Sequence, residues 1–314
     1  MNVGDLSLER FAAQLAGEGV AIRWGPFASR IVSRLPELAA PLHLLYADFP
    51  LEPPAGICDF HVRVRPRSPR LPWSQQRFEL LLSHGPAFQP FSRKFALAAL
   101  EWGLNLCVYG AAHQFLIVHA AVVERNRRAL LLPGRPGAGK STLCAALVIA
   151  GWRLLSDELA LVDPQDGRVR ALARPISLKN DAIEIIRGLA PDTVFGPPAV
   201  DTHKGTVAHM KPPSPSVRRA EETAVPQWIV MPRFVAGQEL HLNPVSKASA
   251  FWGIADNSLN YEILGETGFT TLVRLVDRCQ CYSLTHSDLS DAVAALVRLS
   301  REPQASKERY AAAV

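Results

Sequence analysis

A short glycine-rich segment carries the clearest chemical signal in this chain. Residues 134–142 read GRPGAGKST and match the pattern GxxxxGK[ST], with an apolar run before them and a helix-like run after them. A strand, a glycine loop and a helix in this order can wrap a polyphosphate in backbone N–H groups. The lysine then contacts the β- and γ-phosphates, and the hydroxyl residue after it can bind Mg²⁺. We therefore expect a nucleotide-binding loop formed by Gly134, Arg135, Pro136, Gly137, Ala138, Gly139, Lys140, Ser141 and Thr142.

A chance match to this pattern is the alternative. A glycine-rich turn that only joins two elements does not require a lysine and a serine at the start of the following helix. The strand predicted from Ala129 to Leu132 and the helix predicted after the loop therefore favour phosphate binding.

Two neighbouring acids follow the loop along the chain. Asp157 and Glu158 come after one short helix, a glycine and the apolar run WRLL, so a strand can run back beside the loop and bring them near the phosphates. There, one carboxylate could hold Mg²⁺ and the other could accept a hydroxyl proton. We expect Asp157, Glu158 and Lys140 to be catalytic, and Ser141, Asp157 and Glu158 to bind the metal. A solvated acid pair at the start of a strand is the alternative.

His119 lies in the apolar run IVHAAVV, on the strand before the one that enters the loop. A histidine within such a run can be a satisfied interior residue or a catalytic group. The residues alone leave both readings open.

The composition is that of a globular protein, with 48% apolar and 20% charged residues. The net charge of +5 permits an anionic ligand, but the basic residues are dispersed. The basic run at residues 61–70 alternates like an exposed strand edge, so we expect no nucleic-acid partner. Polar residues interrupt the most apolar stretch, residues 95–123, which predicts no membrane span. The five cysteines lack CxxC spacing and the acidic N-terminus lacks a signal-peptide core, so we expect a cytoplasmic location.

The length of 314 residues suits two units. Residues 1–110 contain the strand-like runs GVAIRW, CDFHVRVR and RFELLLS between proline-bearing turns, and a predicted helix over 92–108, which indicates an N-terminal α+β region. Residues 111–314 are expected to form a P-loop catalytic domain. Within it, the proline-rich residues 191–232 predict a surface loop that covers or completes a site, and Ser287 or Asp288 is expected to cap a final helix.

Longer segments resemble a known family. Residues 118–163, VHAAVVERNRRALLLPGRPGAGKSTLCAALVIAGWRLLSDELALVD, resemble the catalytic domain of the bacterial HPr serine kinase/phosphorylase. There a histidine-bearing strand, the loop, a helix ending in glycine and an acid pair follow in the same order. The runs ARPISLKN, HKGTVAHMKPP, LNYEILGETGF and CYSL are similar to a narrower group, the HPr-kinase-related kinase A proteins. This narrower resemblance covers most of the chain.

The resemblance implies an α/β P-loop kinase core of the HPr kinase and phosphoenolpyruvate carboxykinase type with a mixed sheet, Mg·ATP in the loop and a protein serine as acceptor. It matches His119 to the active-site histidine, residues 134–141 to the loop, and Asp157 with Glu158 to the acid pair. The chain departs from the family where Glu158 replaces an aspartate, and where EIIRGLA at residues 184–190 has one extra residue. The first 110 residues do not resemble the regulatory domain of the HPr enzymes, so HPr itself is not assumed to be the acceptor.

The leading hypothesis is an ATP-dependent kinase that phosphorylates a hydroxyl of a peptide or small protein. Assembly of the protein into a homo-oligomer is left open. An ATP-binding regulatory module without turnover, an ATPase and a phosphorylase are the alternatives. The loop does not separate them, because all of them need the same phosphate cradle.

Overall fold

The computed structural model describes residues 1–53, 55–67 and 76–302. The C-terminal run SKERYAAAV, which the sequence predicts to fray, lies outside these ranges. Within them the chain forms a mixed α/β fold, as expected from the sequence. No helix in the described ranges is both long enough and apolar enough to cross a bilayer.

The N-terminal region combines helices with a mixed sheet. Its elements are the 3₁₀-helices Val3–Asp5 and Arg93–Phe95, with α1 (Leu8–Ala16), β1 (Val20–Trp24), β2 (Phe27–Ser33), α2 (Pro36–Leu45), β3 (Phe60–Arg67), β4 (Arg77–Leu82), β5 (Gly85–Pro86), β6 (Phe91–Ser92) and α3 (Ala96–Ala111). The strand order is β1-β2-β3-β4-β5, and β6 also pairs with β4. The three predicted strand-like runs form β1, β3 and β4. The expectation of an exposed edge was wrong for β3, which pairs with β2 on one side and β4 on the other.

Helix α3 packs between the N-terminal region and the rest of the chain. Its sequence ALAALEWGLNLCVYGA is apolar on almost every side, and most of its residues are buried. Its side chains share one core cluster with Ile117, Leu159 and Leu161 from the C-terminal part. The helix predicted over residues 92–108 is therefore confirmed, although it extends to Ala111.

The C-terminal part is built around a second, larger sheet. Its elements are β7 (Leu116–Arg125), β8 (Arg128–Pro133), α4 (Lys140–Ile149), β9 (Arg153–Ser156), β10 (Leu159–Val162), β11 (Val169–Arg170), β12 (Ile176–Lys179), α5 (Asp181–Leu189), β13 (Ala199–Thr202), β14 (Gly205–Met210), α6 (Ser214–Arg218), β15 (Val225–Phe234), β16 (His241–Pro244), α7 (Lys247–Ala255), α8 (Tyr261–Arg278), β17 (Gln280–His286) and α9 (Leu289–Arg301). The strand order is β11-β10-β7-β8-β15-β17-β16, and β9 also pairs with β7. Strands β8, β15 and β17 are mutually parallel, whereas β7 is antiparallel to its neighbours, so this sheet is mixed.

The hairpin of β7 and β8 delivers the chain into the glycine loop. Its two-residue turn places Asn126 and Arg127 at φ values of 54° and 62°, the left-handed pair that suits a tight hairpin. Helix α4 follows the loop, and Gly151 at φ 89° lies just after its end, as the sequence predicted. The final helix α9 is also confirmed, and the Asp288 carboxylate caps it by accepting from Asp291 N at 2.9 Å.

The expectation of a surface loop over residues 191–232 was largely wrong. Most of this segment forms β13, β14, α6 and the greater part of β15, and β12, β14 and β13 make a separate three-stranded antiparallel sheet. Six of the eight prolines in this segment lie at or near the ends of these elements, whereas Pro226 and Pro232 lie within β15. Most prolines of this segment therefore mark boundaries between short elements.

Candidate active site

The glycine loop lies between the end of β8 and the start of α4. Gly137 and Gly139 take φ values of 87° and 86°, a conformation that side chains other than glycine rarely adopt. Leu143 N donates to Gly139 O at 2.9 Å, which makes Gly139 the first carbonyl acceptor of the helix. The loop therefore aims the N-terminus of an α-helix at the position where an anion would bind.

Lys140 points back into this loop. Its side chain is buried, and its Nζ donates to the Gly134 carbonyl and, at 3.2 Å, to the Arg135 carbonyl. Burial lowers the pKa of Lys140, and the nearby Asp157 carboxylate partly offsets that effect. The ammonium group thus lies inside the loop, held by carbonyl oxygens that phosphate oxygens can replace.

Strand β7 brings the acid pair to the loop. Ala120 in β7 lies opposite Pro133, the last residue of β8, and its N–H donates to the Glu158 carbonyl at 3.1 Å. Strand β9 pairs with the C-terminal half of β7 and β10 with the N-terminal half, so Asp157 and Glu158 fill the break between two strands on one side of β7. The acids and the start of the loop therefore flank the same stretch of strand.

Asp157 is the buried acid of the pair. Its side chain is buried, and Oδ2 accepts from Ser177 N at 2.9 Å, whereas Oδ1 has no hydrogen-bond partner among the described residues. Burial and then the charge of Glu158 raise the pKa of Asp157 to about 7, against the Ser177 amide and the Ser141 hydroxyl, which lower it. This buried oxygen next to the loop serine is free to accept a hydrogen bond from a ligand.

Glu158 is held by a side chain from the N-terminal region. Asn105 Nδ2 in α3 donates to Glu158 Oε2 at 2.5 Å, and Asn105 Oδ1 accepts in turn from Arg174. Arg174 also pairs with the buried Glu101 at 3.1 Å, and the Tyr46 hydroxyl donates to Glu101 at 2.7 Å. A continuous hydrogen-bonded network thus runs from the N-terminal core to the acid pair.

His119 faces the same site. It is half-buried on β7 opposite Leu159, the residue that follows the acid pair, and its ring has no hydrogen bond to a described residue. Burial, and next the charge of Lys140, lower the pKa of His119, whereas Glu158 raises it. The imidazole is therefore neutral near pH 7 and available to a ligand.

The chemistry of this donor set fits Mg²⁺. Magnesium is usually bound by one or two carboxylates together with substrate phosphates and water. The Ser141 hydroxyl lies beside the Asp157 carboxylate, next to Glu158, and provides that kind of oxygen set. No cluster of three or more His, Cys, Asp or Glu side chains that could bind a metal occurs in residues 1–53, 55–67 and 76–302, so a site here would depend on phosphate oxygens.

The structure therefore brings Lys140, Ser141, Asp157, Glu158 and His119 together. Residues 135–137 of the loop are exposed, and Thr142 lies in the first turn of α4. Two residues of the EIIRGLA run do not belong to this group. Glu184 and Arg187 lie on α5 and form an ion pair of 2.7 Å on the surface.

Sequence reasoning missed several residues that line the site or lie near its acid pair. Arg174, Ser177 and Lys179 belong to the run ARPISLKN, and Lys204 and His209 to the run HKGTVAHMKPP. These two runs pair as β12 and β14, with Ser177 opposite His209. Asn105 had a different signal, since Glu101 and Asn105 are polar residues one helical turn apart in an otherwise apolar helix.

No family model and no curated protein matches the chain. Among solved structures, the chain is similar to the Hpr(Ser) kinase/phosphatase from Coxiella burnetii, with 13% sequence identity and a TM-score of 0.27. The match covers 60% of this chain and 99% of the other. A similarity at this level does not bear on the activity of the protein.

Proposed function

We propose that this protein is an ATP-dependent kinase that transfers the γ-phosphate to a hydroxyl group, such as a serine of a peptide or small protein. The single observation that carries the proposal is the buried Asp157 carboxylate, which has one unpaired oxygen and lies beside Lys140 and Ser141 at the glycine loop. A kinase core of the HPr kinase and phosphoenolpyruvate carboxykinase type, suggested by the motif order, is part of the same proposal.

The loop and Lys140 would bind the triphosphate. Backbone N–H groups of a glycine loop and the N-terminus of α4 favour phosphate oxygens, and the Lys140 ammonium would exchange its loop carbonyls for the β- and γ-phosphates. Ser141 and one acid of the pair would hold Mg²⁺, which neutralises phosphate charge when it is bound. These groups position the γ-phosphate next to Asp157.

Asp157 is the better candidate for the general base. A base works best when its pKa lies near the pH of the reaction, and burial raises the pKa of Asp157 to about 7. Glu158 is oriented by Asn105 and would contribute to the metal site through water. The neutral His119 ring would supply a hydrogen bond to the transferring group or to the acceptor.

Phosphotransfer tests the proposal. Purified protein with Mg·[γ-³²P]ATP and a library of serine peptides and small hydroxyl compounds should consume ATP and label an acceptor. Asp157→Asn should retain ATP binding and lose transfer, whereas Glu184→Gln, which removes an exposed acid on α5, should behave like the wild type. Binding of ATP without any product would instead support a regulatory ATP-binding module.

A further inference from the structure

A small cavity is lined by the acid pair and lies between α3 and the strands β12 and β14. Its volume is about 20 Å³, enough for about one water molecule. Five residues that line it carry a buried side-chain atom without a hydrogen-bond partner among the described residues: Trp102 Nε1, Asp157 Oδ1, Arg174 Nε, Ser177 Oγ and His209 Nε2. The most exposed of the five side chains is Trp102 at 8%. Buried polar groups are normally paired, so this concentration indicates a polar occupant.

The unpaired atoms define the chemistry of that occupant. The indole Nε1 of Trp102 and the Nε of Arg174 only donate hydrogen bonds, whereas an ionised Asp157 only accepts them. Burial lowers the pKa of His209 to about 3, so its ring adds no charge. A ligand hydroxyl is about the size of one water molecule, so it fits this cavity, where it can donate to Asp157 and accept from one of the two donors. The rest of the ligand would lie outside the cavity.

A lysine on a well-fixed hairpin lies next to Trp102, one of the residues that line the cavity. Lys204 Nζ lies 5.0 Å from the centroid of the Trp102 ring, a favourable distance for a cation–π contact. The β13–β14 turn that bears it is fixed by Thr206 N, which donates to Asn180 Oδ1 at 3.0 Å. Gly205 has φ 81°, and a Cβ there would approach Asn180 Oδ1 to 2.2 Å, so only glycine fits. The turn therefore presents Lys204 at a defined position.

A second lysine lies near Asp157. Lys179 follows Ser177 by two residues on β12, so both side chains leave the same face of the strand. Neither Lys179 nor Lys204 has a carboxylate within 4.0 Å among the residues that the structure describes, although the charge of Lys179 lowers the pKa of Asp157. Two cations beside the acid pair thus remain without a close partner of opposite charge.

We propose that this cavity, together with the adjacent surface that carries Lys179 and Lys204, forms the acceptor site, and that the acceptor carries a carboxylate or phosphate group near its reacting hydroxyl. The inference rests on the proposed kinase function and names its substrate class. Lys179 and Lys204 would bind the anionic group while the hydroxyl points to Asp157. The acceptor O–H bond breaks and its proton passes to Asp157, its oxygen bonds to the γ-phosphorus of ATP, and the bond from that phosphorus to the bridging oxygen breaks with its electron pair leaving on ADP.

Calorimetric titration of the protein saturated with Mg·AMP-PNP tests this site without turnover. The probes are two matched pairs that differ in charge: glycerate with glycerol, and the peptide Asp-Asp-Ser-Asp-Asp with Asn-Asn-Ser-Asn-Asn. In at least one pair, the Kd of the anionic probe should be at least about tenfold lower than that of the matched neutral probe, as expected for a charge-assisted hydrogen bond. Which pair shows the preference distinguishes a small hydroxy acid from an acidic peptide.

Single variants assign the preference to the lysines. Lys204→Gln and Lys179→Gln should each remove most of it while the Kd for Mg·AMP-PNP stays within about twofold. Lys94→Gln is the control, because Lys94 is an exposed lysine that pairs with Asp201 outside the cavity, and it should change neither value. Three results would overturn the inference: equal binding of the anionic and neutral probes of both pairs, no binding of either anionic probe, or weaker AMP-PNP binding in the two site variants. A protein that consumes no ATP but binds an anionic probe through Lys204 would refute the kinase proposal and leave the anion site intact.

Discussion

Replacing Asp157 with asparagine should stabilise the protein above neutral pH when no nucleotide or metal is bound. The carboxylate is 6% exposed, and its pKa is raised from 3.8 to about 7, first by burial and then by Glu158. A pKa rise of about three corresponds to about 4 kcal/mol, at roughly 1.36 kcal/mol for each pKa unit. The amide that Asp157→Asn introduces has nearly the same shape as the carboxylate and carries no charge, so this cost disappears.

The sign of the pH dependence follows from the direction of the shift. Between about pH 4 and pH 7 the folded state holds the Asp157 proton and the unfolded state does not, so the free energy of unfolding falls as the pH rises through this window. Above about pH 7 the loss is complete. The advantage of Asp157→Asn should therefore grow by roughly 2–3 kcal/mol between pH 5 and pH 7 and then level off.

Urea unfolding in EDTA, followed by tryptophan fluorescence at half-unit steps from pH 5 to pH 8.5, measures this difference. Glu184→Gln serves as the control, because it removes an exposed acid, and its difference from the wild type should not change with pH. A difference for Asp157→Asn that stays flat across the range, or a variant that is less stable at pH 8, would refute the reasoning. The expected result would show that the site is built for ligand binding at the expense of stability.

Three further predictions concern other parts of the structure. Lys140→Ala should weaken Mg·ATP binding by about tenfold to hundredfold, measured by calorimetry, because a charge-assisted contact to the phosphates is lost. Asn105→Ala should lower kcat by about tenfold with little change in the KM for ATP, since Glu158 loses its orienting donor, and steady-state kinetics with Asn105→Gln as the conservative variant checks this. Glu124→Gln should destabilise the fold by about 3–5 kcal/mol in urea unfolding, because it leaves the buried Arg153 without its carboxylate partner.

Local sequence patterns predicted the core of the candidate site. The apolar runs on either side of the glycines and the short connection to Asp157 restrict how far the acids can lie from the loop, and the structure places them beside it. These features could be read because each depends on residues close together in the chain. The position of His119 next to the acid pair could be seen only from the register of β7 against β10.

The missing part of the site depends on contacts between distant residues. Asn105 and Glu158 are 53 positions apart, and no periodicity in either segment indicates that they meet. The misread proline-rich segment has the same cause, because prolines mark the ends of β13 and β14 as readily as a loop. Only the pairing of β14 with β12 shows that this segment lines the cavity.

The placement of α3 has a practical consequence for anyone who wishes to shorten this protein. A fragment that starts at residue 111 would lose Tyr46, Glu101 and Asn105, and Arg174 would face water with an unmatched charge. It would also expose the apolar side chains of Ile117, Leu159 and Leu161, a patch that favours aggregation. Expression trials and crystallisation should therefore keep the first 110 residues, even where only the phosphate chemistry is of interest.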